Sequence, residues 1–178
     1  MDKEQALANY LDIDVDEVES YGSYFEADGQ EFIVAKNYDD AYDLAVESVI
    51  DLQDDIGIVT EGMTDILKYE VEDIINDQFK NSTDEVEAYM DSLEDEERED
   101  AGEYDNDYEF MEDVYGETPF EHLMEMGLYD VLNNMITVAE EKKIAEFCVD
   151  IDGVAHFLAS YDGLDIELEK DMYAFRTN

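Results

Sequence analysis

Positive charge is almost absent from this chain. Its 178 residues include 9 Lys and Arg, 2 His, 1 Cys and no Trp, against 53 Asp and Glu. The formal charge of −44 makes attraction to nucleic acid or to an anionic membrane unfavourable, and it favours basic protein surfaces or cations as partners. One cysteine excludes an internal disulfide, which fits a reducing cytoplasm.

Targeting signals and long apolar runs are missing as well. The N-terminal segment MDKEQALANY has neither the basic region nor the apolar region of a signal peptide. No apolar run approaches the ~18 residues of a membrane span. We therefore expect a soluble protein of the cytoplasm.

Enzyme and metal-site motifs are scarce. The sequence has no Gly-rich phosphate loop and no Gly-x-Ser-x-Gly elbow. A calcium-binding EF-hand loop needs Gly at its sixth position, but loops begun at Asp12 and Asp105 place Glu17 and Phe110 there. We expect no catalytic residue, no dedicated metal site and no cofactor, although a glycosidase-type carboxylate pair would be indistinguishable among so many acids.

The few remaining reactive side chains match no known spacing. His122, His156 and Cys148 do not follow a zinc-ligand pattern. Cys148 stands between Phe147 and Val149, which is typical of a small buried apolar residue. We interpret all three as structural, while a Cys–His catalytic pair stays open.

Apolar residues indicate that the acid is carried by a folded chain. Charge of this size alone would be typical of disorder, but 45% of the residues are hydrophobic and 12% are aromatic. A net charge of magnitude roughly 2–8 is enough for the solubility of a small domain. The excess is therefore interpreted as functional.

The pattern of residues predicts an α+β fold with a helical acidic middle, an N-terminal hairpin and a small C-terminal antiparallel sheet. Asp28-Gly29 predicts the turn of the hairpin. Apolar residues at three- and four-residue steps predict amphipathic helices, and Thr118-Pro119 predicts a helix start. The predicted helices span residues 3–11, 14–20, 37 or 39 to about 55, 63–79, 84–100 and 131–147. The predicted strands span residues 24–26, 31–34, 154–160, 165–168 and 172–176. We expect one domain over residues 1–178, with a subdivision at 1–80, 81–148 and 149–178 left open.

The most acidic stretch, residues 84–117, is the candidate partner-binding site. Arg98 is its only base, and apolar residues such as Val86 and Met90 are threaded through it. Residues 102–107 are the least regular part and are expected to form a loop. The candidate binding residues are Asp84, Glu87, Asp91, Glu94, Asp95, Glu96, Glu99, Asp100, Glu103, Asp105, Asp107, Glu109, Glu112 and Asp113. The acids of residues 39–55 are a second candidate face.

The spacing of these acids favours mimicry of DNA. Residues three and four apart on a helix stand about 5–6 Å apart at Cβ, while each DNA strand carries one phosphate per about 3.4 Å of axis. A rigid row of carboxylates can therefore occupy a basic groove that binds nucleic acid. Tyr104, Tyr108 and Tyr115 fit either an interface or a helix core.

Two groups of residues lie at the ends of the chain: Leu7–Leu11 and Ile13–Val18 at the start, and His156–Gly163, Glu167-Leu168 and Tyr173–Asn178 at the end. These segments resemble the ends of small acidic bacteriophage proteins. The resemblance implies phage origin and a bacterial cytoplasm, and it transfers no catalytic residue. Such proteins include DNA-mimic antirestriction and anti-CRISPR inhibitors, which are non-enzymatic and bind a host restriction enzyme or CRISPR effector.

Two other functions stay open. The chain can be an acidic partner or chaperone of a basic protein without mimicry, in which case DNA would not compete for the bound protein. It can also be a globular protein of a high-salt cytoplasm, which would unfold in dilute buffer. Self-association as a homodimer is open too.

Overall fold

A computed structural model describes residues 2–93 and 104–178 of the chain. The fold is α+β, as the sequence predicts, and it contains an antiparallel sheet with the strand order β1-β2-β3-β5-β4. The strands are β1 (Glu19–Tyr21), β2 (Tyr24–Ala27), β3 (Gln30–Ala35), β4 (Asp165–Glu167) and β5 (Tyr173–Arg176). The helices are α1 (Lys3–Leu11), α2 (Tyr38–Ile56), α3 (Asp65–Asn81), α4 (Asp84–Met90), α5 (Asp107–Tyr115), α6 (Pro119–Glu125), α7 (Tyr129–Met135), α8 (Val138–Asp152) and α9 (Val154–Leu158).

The chain divides into two compact units. The sheet unit comprises Met1–Gln53 and Ala145–Asn178, and the helical unit comprises Asp54–Ile144. The division falls inside α2 and inside α8. A compact unit need not be a separate folding domain, so the expectation of one domain over residues 1–178 stays a prediction.

The sheet joins the predicted hairpin to the C-terminal strands. Ala27 pairs with Gln30 across the β2–β3 turn, and Asp28 and Gly29 between them have φ values of 51° and 68°. Positive φ at both central residues defines the type I′ turn that Asp-Gly favours, so the predicted hairpin is confirmed. Strand β5 pairs antiparallel with both β3 and β4. The N-terminal and C-terminal strands therefore form one sheet.

Alternation along the strands builds a core on each face of the sheet. On one face, Phe32 and Val34 pack with Leu7 of α1. On the other face, Ile33 and Phe175 pack with buried alanines and valines of α2, α8 and α9. Each pair of strand neighbours contributes one side chain to each core, which follows from the two-residue period of a strand.

Two sequence predictions in the sheet unit are wrong. Residues 14–20 were expected to be helical, but only Val15–Glu17 form a 3₁₀ turn, and Glu19–Tyr21 pair with β2 instead. Residues 154–160 were expected to be a strand, but Val154–Leu158 form α9. Val154 and Leu158 are buried while His156 between them is exposed, which fits the helical period, whereas a strand would place all three on one face.

In the helical unit, local capping sets where several helices begin. Thr64 accepts a hydrogen bond from the Leu67 amide at the start of α3. Thr118 and Glu121 form a reciprocal capping box at α6, with Pro119 in the first turn. The predicted Thr118-Pro119 helix start is confirmed. The apolar stripe of α3 is buried through Val71, Ile75 and Phe79, as its spacing predicts.

Other helix limits in this unit differ from the prediction. The helix expected over residues 84–100 ends at Met90, and residues 94–100 lie outside the described residues. Within the expected loop at 102–107, Asp107 already begins α5. The single helix expected over 131–147 is two helices, because the chain is extended at Ile136. Ile136, Thr137 and Val138 are consecutive β-branched residues, which lose side-chain freedom in a helix.

One side-chain amide fixes the chain that leads from α2 to α3. The Asn133 Oδ1 atom accepts hydrogen bonds from the Ile58 and Val59 amides at 2.9 and 2.8 Å, and its Nδ2 donates to the Val59 carbonyl at 3.1 Å. Gly57 allows this approach, because a Cβ there would lie 2.9 Å from Asn133 Nδ2. Ile58 and Val59 are buried.

Asn133→Ala is expected to destabilise the chain by about 2–3 kcal/mol, because two buried amides lose their acceptor. Chemical denaturation of the variant and the parent measures the change. Asn134→Ala is the matched control, since Asn134 is its exposed neighbour on α7. Equal losses in the two variants would contradict this role for Asn133.

The fold also predicts a loss of stability in alkali. Burial, together with a 3.0 Å hydrogen bond donated to Asp150, raises the pKa of Tyr42 to about 12. The neutral phenol is favoured in the folded state, so this contribution is complete below pH 10 and is lost as pH rises from 10 to about 12. Tyr42→Phe should flatten this part of the stability profile in thermal unfolding from pH 9 to 12. Tyr69→Phe, at an exposed tyrosine of α3, should leave the profile unchanged.

Candidate functional site

The acids of α4 point away from the core of the helical unit. Val86 and Met90 are buried, whereas Asp84 and Glu87 are exposed. Asp91, just after the helix, is exposed as well. The steps of three and four residues between these acids follow the helical repeat, so the apolar and acidic residues occupy different faces.

Helix α5 carries a denser group of acids. Its N-cap, Asn106, accepts a hydrogen bond from the Glu109 amide at 3.0 Å. Phe110 and Met111 are fully buried and hold the inner face. The exposed acids are Glu109, Glu112 and Asp113 on the helix and Asp105 just before it.

Asp107 and Asp113 are predicted binding acids that also have internal hydrogen-bond partners. Asp107 is half-buried and accepts a hydrogen bond from the Ser82 hydroxyl at 2.6 Å. Asp113 accepts one from the Tyr104 hydroxyl at 2.6 Å. These bonds attach α5 to the end of α3 and order the segment before α5. The remaining candidate acids lie outside the described residues: Glu94, Asp95, Glu96, Glu99, Asp100 and Glu103.

The tyrosines among these acids contribute to the packing of the helical unit. Tyr104 and Tyr115 meet the Phe110 ring edge-on, with centroids 5.6 and 6.2 Å away. Tyr115 stacks on His122 at 4.0 Å. Lys80 lies 4.9 Å from the centre of the Tyr108 ring, and burial raises the pKa of the Tyr108 phenol. All three tyrosines are half-buried, which favours the helix-core interpretation over an open interface.

A second row of acid runs along α2 in the sheet unit. Asp39, Asp43, Glu47 and Asp51 are all exposed and recur every four residues. The opposite side of the helix buries alanines and valines in the core. With a rise of 1.5 Å per residue, the row places one carboxylate about every 6 Å over about 18 Å.

Asp40 does not belong to this row. Its carboxylate accepts a hydrogen bond from the Lys36 amide at 2.8 Å, and Lys3 lies 3.5 Å away. The backbone hydrogen bond, opposed by partial burial and helped by the lysine charge, lowers the pKa of Asp40. Asp40 therefore anchors the start of α2. Asp40 is only half-exposed, whereas the acids of the row are exposed, and this difference defines the row.

The charge spacing on α5 is close to that of a DNA strand. Its exposed acids, Glu109, Glu112 and Asp113, lie within five consecutive residues, which is about 6 Å of helix and one acid per about 2–3 Å. One DNA strand carries a charge per about 3.4 Å. The α2 row is about half as dense. Both rows are held on helices whose inner faces are packed, so their charges are fixed rather than carried on a flexible chain.

The described residues do not form a metal or thiol site. Over residues 2–93 and 104–178, no group of three or more His, Cys, Asp or Glu could hold a metal ion. Cys148 is half-buried in the sheet unit, and burial raises the pKa of its thiol. A thiol with a raised pKa is a weak nucleophile at neutral pH. His156 is exposed and meets the Phe157 ring edge-on.

A membrane-spanning helix is not among the elements described, since none is both long and apolar enough to cross a bilayer. No protein-family model matches the chain, and neither curated proteins nor solved structures include a detectable relative.

Glu47→Gln is expected to stabilise the chain by about 0.4–1 kcal/mol at low salt. The substitution removes the repulsion between Glu47 and its two like-charge neighbours, Asp43 and Asp51, which lie four residues away on each side. Chemical denaturation in dilute buffer and in 1 M NaCl measures the gain. The gain should vanish in 1 M salt, where the screening length is about 3 Å.

Asp130→Asn is the matched control for this experiment. Asp130 is exposed in the first turn of α7 and has no charged residue three or four positions away. An acid there is stabilised by the helix dipole, so its neutralisation should be neutral or slightly destabilising. A gain of the same size in both variants would contradict the repulsion argument.

Proposed function

We propose that this chain is a non-enzymatic DNA mimic of the phage type, acting in the bacterial cytoplasm. It would occupy a basic nucleic-acid-binding surface of a restriction enzyme or CRISPR effector. The observation that carries the proposal is the exposed acid of α4 and α5, which is fixed on packed helices and on α5 lies at nearly the charge spacing of a DNA strand.

Fixed charge is what distinguishes a mimic from an acidic tail. Phe110 and Met111 lock α5 against its unit, and the Ser82–Asp107 hydrogen bond connects it to the end of α3. The backbone entropy of placing these carboxylates is therefore lost on folding, and binding costs only the rotamer freedom of their side chains. A partner with Lys and Arg placed for phosphates meets them already in position.

Electrostatic complementarity would raise the association rate, because it acts before the two proteins are in contact. A field of this size steers a basic protein towards the acidic surface and raises the association rate at low salt. Because exposed charges are screened beyond about 8 Å at physiological salt, capture should weaken steeply as salt rises. DNA should compete, since both ligands use the same basic residues.

The first test is capture from lysates of bacteria that carry restriction and CRISPR systems. The tagged chain should retain a nuclease or effector subunit that elutes early in a salt gradient and is displaced by added duplex DNA. Retention of a basic protein that duplex DNA does not displace would contradict mimicry and favour an acidic partner or chaperone.

The second test neutralises exposed acids of α4, α5 and the residues just before α5. Four substitutions that spare the hydrogen-bonded Asp107 and Asp113 are Glu87→Gln, Asp105→Asn, Glu109→Gln and Glu112→Gln. Loss of these four charges should weaken inhibition of the captured nuclease at least tenfold in a DNA-cleavage assay, because charge at the contact is removed while the buried face is unchanged.

The control removes the same number of charges from exposed acids elsewhere. Its substitutions are Asp12→Asn, Asp28→Asn, Glu61→Gln and Glu169→Gln. It should inhibit within about twofold of the parent. Equal inhibition by both variants would show that net charge alone matters, and it would contradict a binding surface on α4 and α5.

A further inference from the structure

One face of the sheet is exposed at its β1–β2 end, and this surface plays no part in the proposed DNA mimicry. The helices that cover Ile33 and Phe175 do not extend over the β1–β2 end of the same face. Tyr21 and Tyr24 are directly paired there and are 65% and 58% exposed, while their neighbour Ile33 is 8% exposed. Between the neighbouring strands β3 and β2, the residues of this face therefore change from a buried isoleucine to exposed tyrosines.

Three glutamates flank this tyrosine pair. Glu19 pairs with Glu26, and Glu26 pairs with Glu31, so three carboxylates cross β1, β2 and β3 in one line. Directly opposed side chains on a sheet have Cβ atoms about 4.5–5.5 Å apart, and like charges so placed are destabilising. We name the surface of Glu19, Tyr21, Tyr24, Glu26 and Glu31 the Tyr–Glu ledge.

The tyrosines and glutamates of the ledge together favour a guanidinium group over an ammonium group as ligand. A guanidinium group stacks on a tyrosine ring and also donates two parallel hydrogen bonds to a carboxylate, whereas an ammonium group is compact and strongly hydrated. The chain shows such a contact internally, since the Arg176 guanidinium lies 3.9 Å from the centre of the Tyr161 ring. A second copy of this chain and a nucleic acid would both be repelled by its charge of −44.

We infer that the Tyr–Glu ledge binds arginine side chains of a basic protein partner. Guanidinium groups would stack on Tyr21 and Tyr24 and pair with the line of glutamates, which relieves the repulsion between them. The Tyr21 hydroxyl already donates to Glu19 at 2.6 Å, which fixes the ring beside that carboxylate. The ledge lies in the sheet unit, apart in sequence from the acids of α4 and α5, so this inference does not rest on DNA mimicry.

The test is an amide NMR titration of the full chain in about 150 mM salt, where long-range attraction is screened. The probes are the peptide acetyl-Gly-Arg-Gly-Arg-Gly-amide and its twin with lysine in place of arginine. The arginine peptide should shift residues 19–31 most and should bind there at least about threefold more tightly than the lysine peptide. Largest shifts on α2, α4 or α5, or equal affinity for both peptides, would overturn the inference.

Variants separate ring stacking from charge. Tyr21→Val with Tyr24→Val keeps residues that favour strands but removes the rings, so the preference for arginine should be lost. Tyr21→Phe with Tyr24→Phe keeps the rings and should retain that preference, which guards against a trivial folding defect. Tyr10→Val with Tyr69→Val changes two exposed tyrosines elsewhere and should bind like the parent. An unchanged preference in the ring-free variant would refute the ledge.

Discussion

Repulsion between like charges is the constraint on which this structure depends. The chain carries a formal charge of −44, and it can stay compact only if buried apolar contacts outweigh that repulsion. In the described residues, the contacts come from helix stripes such as Val71, Ile75 and Phe79 and from the two cores on the sheet. Uncharged side chains at the exposed acidic positions would make a more stable protein. Stability alone therefore does not explain why these positions carry acids.

The same periodicity that builds the core also arranges the charge. A helix that buries every third or fourth residue presents its remaining residues at that interval on the outside. On α2 this produces the row from Asp39 to Asp51, and on α5 it produces a group of acids opposite Phe110 and Met111. Core packing therefore determines both the stability of each helix and the spacing of the carboxylates that it displays.

Patterns that are local in sequence predicted the fold well. The stripe of α3, the Asp28-Gly29 turn and the Thr118-Pro119 start depend on residues close together in the chain. Residues 14–20 and 154–160 were misassigned because their conformation depends on distant partners. Strand β1 exists through its pairing with β2, and α9 exists through burial of Val154 and Leu158 against the sheet.

The candidate site was only partly readable from the sequence. Exposure of Glu109 and Glu112 followed from helical spacing, but the internal bonds of Asp107 and Asp113 needed the positions of Ser82 and Tyr104. Asp40 was not separable from the α2 row without its contacts to Lys36 and Lys3.

The Tyr–Glu ledge could not be predicted from the sequence, because its residues are brought together only by the register of the strands. Residues 14–20 were expected to form a helix, and only the pairing of Tyr21 with Tyr24 creates the surface.

The proposed function requires that the acidic helices of this protein and DNA compete for one basic surface. Displacement of a fluorescent duplex from the captured nuclease, followed by anisotropy as this protein is added, measures that competition. Competition predicts full release of the duplex, with an apparent affinity that weakens in proportion to the duplex concentration. A ternary complex, in which the duplex stays bound at saturating protein, would contradict the account.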